Sequence, residues 1–89
     1  MNTKQSKSIF STDNFALAIF LKAKLCKLLH INKKDHHHSF FEFEDNPERQ
    51  KLTKDFWEGK GLVEPRTFYN TQRELKTLLY DDSYPVEND

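Results

Sequence analysis

The chain has 89 residues, of which 36% are hydrophobic and 13% aromatic. A chain of this length buries roughly 60–70% of its unfolded surface, enough for one core of few but large side chains and too little for a deep substrate cavity, so catalysis is not expected. The net charge of zero hides a split: residues 1–34 hold seven Lys against Asp13 alone, while residues 35–89 hold seven basic and thirteen acidic residues; this gives either a basic and an acidic side, rather than a uniformly basic nucleic-acid binder, or nothing, where the two halves interleave in space.

Residues 1–7 read as a disordered polar leader, with no apolar segment of the signal-peptide kind behind the first Met. Ile9 and Phe10 can form a short extended piece, either an edge strand or a staple ahead of the first helix. Ser11, Thr12 and Asp13 are candidate N-caps, because each side-chain oxygen can accept from an orphan helix N–H. The run from Asn14 to Leu25 then lacks Gly and Pro and places Leu17, Leu21 and Leu25 on one stripe, broadened by Phe15, Ala18, Ile19 and Phe20. So wide an apolar arc needs cover on more than one side, from the rest of the fold or from a second copy. The run Phe15 to Leu21 is far short of the ~20 residues of a membrane span.

Cys26 to Asn32 reads as a strand, with Leu29 and Ile31 facing one way and Cys26, Leu28 and His30 the other; the alternative is that the first helix runs on to Leu29. A polar loop from Lys33 to His38 leads into Ser39–Asp45. There Phe41 and Phe43 point to one face and Phe40, Glu42 and Glu44 to the other, the period of a half-buried strand. A hairpin follows from these two strands. Asn46 as N-cap would put Pro47 at the first helical position, whereas Asp45 as N-cap would pair with Glu48 in a capping box. The second helix carries Leu52, Phe56 and Trp57 on one flank and ends at Gly59 and Gly61. Pro65 opens a third, with Phe68, Gln72, Leu75 and Leu79 in line. Residues 81–89 are acidic and without period, and read as a disordered tail. The expected fold is α+β, in the order (β)-α-β-β-α-α, as one domain over residues 8–80.

This order resembles a family of short bacterial, phage and mobile-element proteins catalogued only as a domain of unknown function. The resemblance rests on Lys27 to Ile31, Phe41 to Asp45, Trp57 to Gly59, Glu64-Pro65 and Gln72 to Lys76, within residues 12–80. His30 departs from it, since a Gly is expected there, and so does the long histidine loop. It implies a fold order and a mobile-element setting, with no catalytic or binding residues to carry over.

Three constellations could carry chemistry. His36, His37 and His38 are imidazoles suited to Zn, Cu or Ni, yet no H-x-x-x-H or C-x-x-C spacing accompanies them, and exposed His runs are commonly solvated. Glu42 and Glu44 share a strand face that could hold a divalent cation, with Asp35, Asp45 and Glu48 nearby in sequence, but alternating Glu is also how a solvent-facing strand looks. Binding is the stronger expectation. Lys22, Lys24, Lys27, Lys33 and Lys34 could contact phosphates without reading sequence. Arg66, Arg73 and Lys76 lie on the third helix with Tyr69 close to both arginines, and an aromatic among basic residues can stack on a base. The bland alternative is a solvated face paired with Glu74 and Asp55.

The sequence therefore points to a small non-enzymatic accessory protein of a phage or mobile element that contacts nucleic acid or nucleoprotein through its Lys-rich N-terminal half. The alternatives are a protein-interaction or homodimer module, and a metal-linked protein using the histidine loop. Phe41, Phe43 and Trp57 are expected to be structural. The lone Cys26 fits a reducing, cytoplasmic setting; no cofactor and no membrane partner are expected.

Overall fold

The computed structural model describes residues 8–35 and 38–80, apart from the side chain of Asp35. It is an α+β fold: strand β1 (Ile9–Thr12), helix α1 (Phe15–Ala23), strands β2 (Leu28–Asp35) and β3 (His38–Glu44), helix α2 (Pro47–Trp57) and helix α3 (Pro65–Tyr80). The expected leader and tail, and His36 and His37, lie outside the described residues.

The short N-terminal strand is real, and it makes β3 the centre of the sheet. The strand order is β1-β3-β2, antiparallel throughout. Phe43 faces Phe10 on one side and Leu28 on the other, and Phe41 faces Thr12 and Ile31. Directly opposed residues share a face, so these side chains form the inner surface of the sheet. Phe43 and Ile31 are wholly buried there. Glu42 and Glu44 stay half-buried on the other face.

Three local expectations are corrected. Asn14, not Ser11, Thr12 or Asp13, caps α1: its Oδ1 accepts from Leu17 N–H at 2.9 Å, because Ser11 and Thr12 are taken into β1. Thr12 instead braces the cap, its Oγ1 accepting from Asn14 N–H. The second strand starts at Leu28 rather than Cys26 and runs through Lys33 and Lys34, leaving a shorter connection than the sequence suggests. A register shift between Leu28 and His30 lets Leu28 and Ile31 share the inner face and turns Leu29 out. The strict period of two does not hold across such a shift.

Helix α1 is the centre of the core. Its five consecutive residues Leu17 to Leu21 are all buried, which a helix achieves only when covered around most of its girth. The cover comes from within the chain. Phe15 meets Phe41 of β3 with ring centroids 5.7 Å apart, and Phe20 meets Phe56 of α2 at 5.6 Å. Leu75 of α3, fully buried, joins the same cluster.

Both α1 and α2 end in the same way. In α1, Leu25 N–H donates to Lys22 C=O and Cys26 N–H to Leu21 C=O; in α2, Gly59 N–H donates to Phe56 C=O and Lys60 N–H to Asp55 C=O. Each is a Schellman motif, whose turning residue must be left-handed. Gly59 takes it at φ 75°, but in α1 the residue is Leu25, at φ 72°. Gly61 is held for another reason: a Cβ there would come within 2.8 Å of the Phe20 ring.

Asn46 caps α2, its Oδ1 accepting from Arg49 N–H at 2.8 Å with Pro47 at the first position. The Asp45 capping box does not form. Asp45 instead takes the guanidinium of Arg49, which is buried, donates also to Thr53 Oγ1, and lies 3.8 Å from the centroid of the Phe10 ring. Arg49 thus ties α2 to β1.

Candidate nucleic-acid interface

Helix α3 begins where Glu64 accepts from Thr67 N–H at 2.8 Å, with Pro65 as the first helical residue. The backbone N–H groups of Thr67 and then Arg66 hold the Glu64 carboxyl below its usual range. Thr71 and Leu75 are buried, and Phe68, Gln72, Leu78 and Leu79 are half-buried against the body. That packing fixes the rotation of the helix and dictates what faces out.

Among the residues that face out, with Asn70 and Thr77 beside them, are Arg66, Tyr69, Arg73, Lys76 and Tyr80, all exposed. Their spacing of three and four residues puts them on one stripe, about 21 Å long at 1.5 Å rise per residue. Arg73 reaches over Tyr69, its guanidinium carbon 5.9 Å from the ring centroid. The acidic residue of the helix, Glu74, is turned toward α1, where Lys22 approaches it at 3.7 Å. Asp55 pairs with Lys51 within α2. The acids expected to neutralise the α3 cations are therefore engaged elsewhere. Tyr80, which sequence reasoning left out, continues the stripe, seven residues after Arg73 and four after Lys76.

The N-terminal lysines do not gather into one site. Lys22 is drawn to Glu74, at the middle of α3, and Lys24 donates to the carbonyl of Leu62, just ahead of that helix. Lys27 is exposed between α1 and β2, and Lys33 and Lys34 belong to β2.

His38 is paired with Asp13 at 2.8 Å and stacked on Phe40 with centroids 4.9 Å apart. That hydrogen bond to His38 holds the Asp13 carboxyl below its usual range. No group of three potential metal ligands occurs among the described residues; His36 and His37 lie outside them. Glu42 accepts from Asn32 Nδ2 and Asp45 binds Arg49, so two of the candidate cation ligands are engaged within the protein. Burial, with the charge of Glu48 behind it, pushes the Cys26 thiol up, the opposite of an activated nucleophile.

Trp57 is not the core cover its sequence position suggested. It is 62% exposed and stands edge-on to Phe56 at 4.9 Å, because Phe56 takes the inward position beside Phe20. Leu25, 91% exposed, and Leu62, 79% exposed, add two more bare apolar side chains. No described helix is long and apolar enough to cross a membrane.

The sequence matches the family described as Domain of unknown function (DUF5659) over residues 7–81, and the chain belongs to that family. No curated protein and no solved structure matches it.

Proposed function

We propose that this member of the family is a small non-enzymatic protein that binds single-stranded nucleic acid through the outward stripe of α3. The observation that carries the reading is the alignment of Arg66, Tyr69, Arg73 and Lys76 on an exposed helix face with Arg73 over the Tyr69 ring. Guanidinium and ammonium groups meet phosphates, and a tyrosine face between them stacks on a base of any identity. Lys22, beside the middle of α3, and Lys24, just ahead of its start, extend the basic surface. The partner is nucleic acid or a nucleoprotein in the cytoplasm. The phage or mobile-element setting draws its support from the motif resemblance alone.

The test is binding of a fluorescent oligothymidine over a range of salt. Replacing Arg66, Arg73 and Lys76 together by Gln should weaken binding and flatten the log–log salt slope by about 2, at roughly 0.7 per phosphate contact on a single strand. Replacing Lys33 and Lys34 should leave the slope nearly unaltered. An unchanged slope in the α3 triple variant defeats the proposal.

A protein-interaction role is the second reading, and a different observation favours it. Leu25, Trp57 and Leu62 are large, apolar and exposed, and Trp is enriched where partners bind. Light scattering across a concentration series tests for a homodimer, which loss of those three side chains would dissolve.

A further inference from the structure

Tyr80, 75% exposed, leaves its ring outside the core, because Leu78 and Leu79 take the inward positions of the last turn of α3. It stands eleven residues after Tyr69, which is also exposed. At roughly 3.6 residues per turn, eleven residues make three turns and about 20° more. The two tyrosines therefore lie almost in line along the helix, about 16 Å apart. Arg73 and Lys76 fall between them on the same stripe. The order along the helix is aromatic, cation, cation, aromatic.

The middle and the far end of that order suit different parts of a nucleic acid. Arg73 and Lys76 suit phosphates. The last turn of α3 has no basic residue, and a helix C-terminus is electronegative, so a phosphate is disfavoured beside Tyr80. A base is uncharged, and its face can stack on a phenol ring. Base faces are open in a single strand and closed within a duplex stack. A strand keeping the duplex rise of about 3.4 Å per phosphate covers about 16 Å in about five steps. About six nucleotides then reach both rings while the backbone passes Arg73 and Lys76.

We infer that Tyr80 is a second base-stacking residue of the α3 interface, and that one single strand spans Tyr69 and Tyr80 with its intervening phosphates on Arg73 and Lys76. The inference rests on the function proposed above. It adds the form and length of the ligand, an unpaired run of about six nucleotides.

The full chain is titrated with a fluorescent ten-residue oligothymidine and with a ten-residue abasic strand, which keeps the phosphates and lacks the bases. Tyr80→Ala should weaken oligothymidine binding about fivefold or more, the lower end of the worth of one base stack. It should leave abasic-strand binding unaltered and keep the salt slope of the parent, since no phosphate contact is lost. Tyr80→Phe, which retains a ring face, should bind like the parent. Tyr69→Ala combined with Tyr80→Ala should bring oligothymidine down toward the abasic strand, and one oligothymidine should bind per chain. If Tyr80→Ala binds oligothymidine as the parent does while Tyr69→Ala is impaired, the inference is overturned and the proposed function stands. Equal loss on both strands also overturns it, since the effect would then lie in phosphate contact or folding, and so does a stoichiometry of two strands per chain. A parent chain that binds neither strand defeats the proposed function, and the second stacking residue with it.

Discussion

Arg49 lies one helical turn beyond Asp45, and its Nε and one terminal nitrogen both close on the same carboxylate oxygen, at 2.9 and 2.8 Å. The pair is nearly enclosed, with side-chain exposures of 10% and 20%. Asp45 directly follows the central strand and Arg49 lies in the first turn of α2 over the Phe10 ring, so one ion pair fixes strand, helix and edge strand together. Removing either partner of a buried pair leaves the other desolvated and uncompensated. Asp45→Ala should therefore lower stability by about 3 kcal/mol. Arg49→Met, which keeps much of the stem over Phe10, should be milder than Arg49→Ala. Urea unfolding measures both, and a loss below half a unit for Asp45→Ala would show the pair to be ornamental.

Leu25 and Gly59 occupy the same position in two copies of one helix-ending motif. A left-handed conformation costs a side chain with a Cβ about 1–2 kcal/mol, partly offset by the greater freedom a glycine loses on folding. Leu25→Gly should consequently stabilise the protein by up to about 1 kcal/mol, and Gly59→Ala should destabilise it by a similar amount. Since Leu25 is almost fully exposed, lost packing cannot mask the effect. A fall in melting temperature for Leu25→Gly would refute the strain argument.

Gly61 allows the link before α3 to pass directly over the Phe20 ring. The ring is buried and braced by Phe56, so it has little space to yield. Gly61→Ala should cost about 1–3 kcal/mol, the range for overpacking a filled core, and Phe20→Leu in the same chain should restore part of the loss. Equal stability of Gly61→Ala and the parent would mean the ring moves freely.

Glu64 gives the start of α3 a dependence on acid. Its carboxyl is held below the usual range by the Thr67 and Arg66 N–H groups, so the folded state favours the charged form. That contribution is fully present above the unfolded value of about 4.3 and is lost as pH falls through the lower, folded value. Glu64→Gln should therefore melt below the parent at neutral pH and approach it as pH falls well below about 4. Melting curves between neutral and strongly acidic pH decide it, and a constant gap would place the stabilisation elsewhere.

Much of the fold can be read from residues close together in the chain. Alternating Phe41 and Phe43, the Asn46-Pro47 start, the Gly59 stop and the Pro65 start identify their elements because periodicity, caps and turns are local properties. The α3 stripe was legible for the same reason, through the spacing of Arg66, Tyr69, Arg73 and Lys76. Tertiary structure decided the rest. It placed β3 between β1 and β2, turned Leu29 out at a register shift, buried Arg49, and left Trp57 bare while Phe56 took the inner place. It also drew Glu74 and Asp55 to lysines elsewhere, leaving the α3 cations outward. Each of these depends on which side chain arrives opposite from a distant part of the chain, and neither spacing nor composition carries that information.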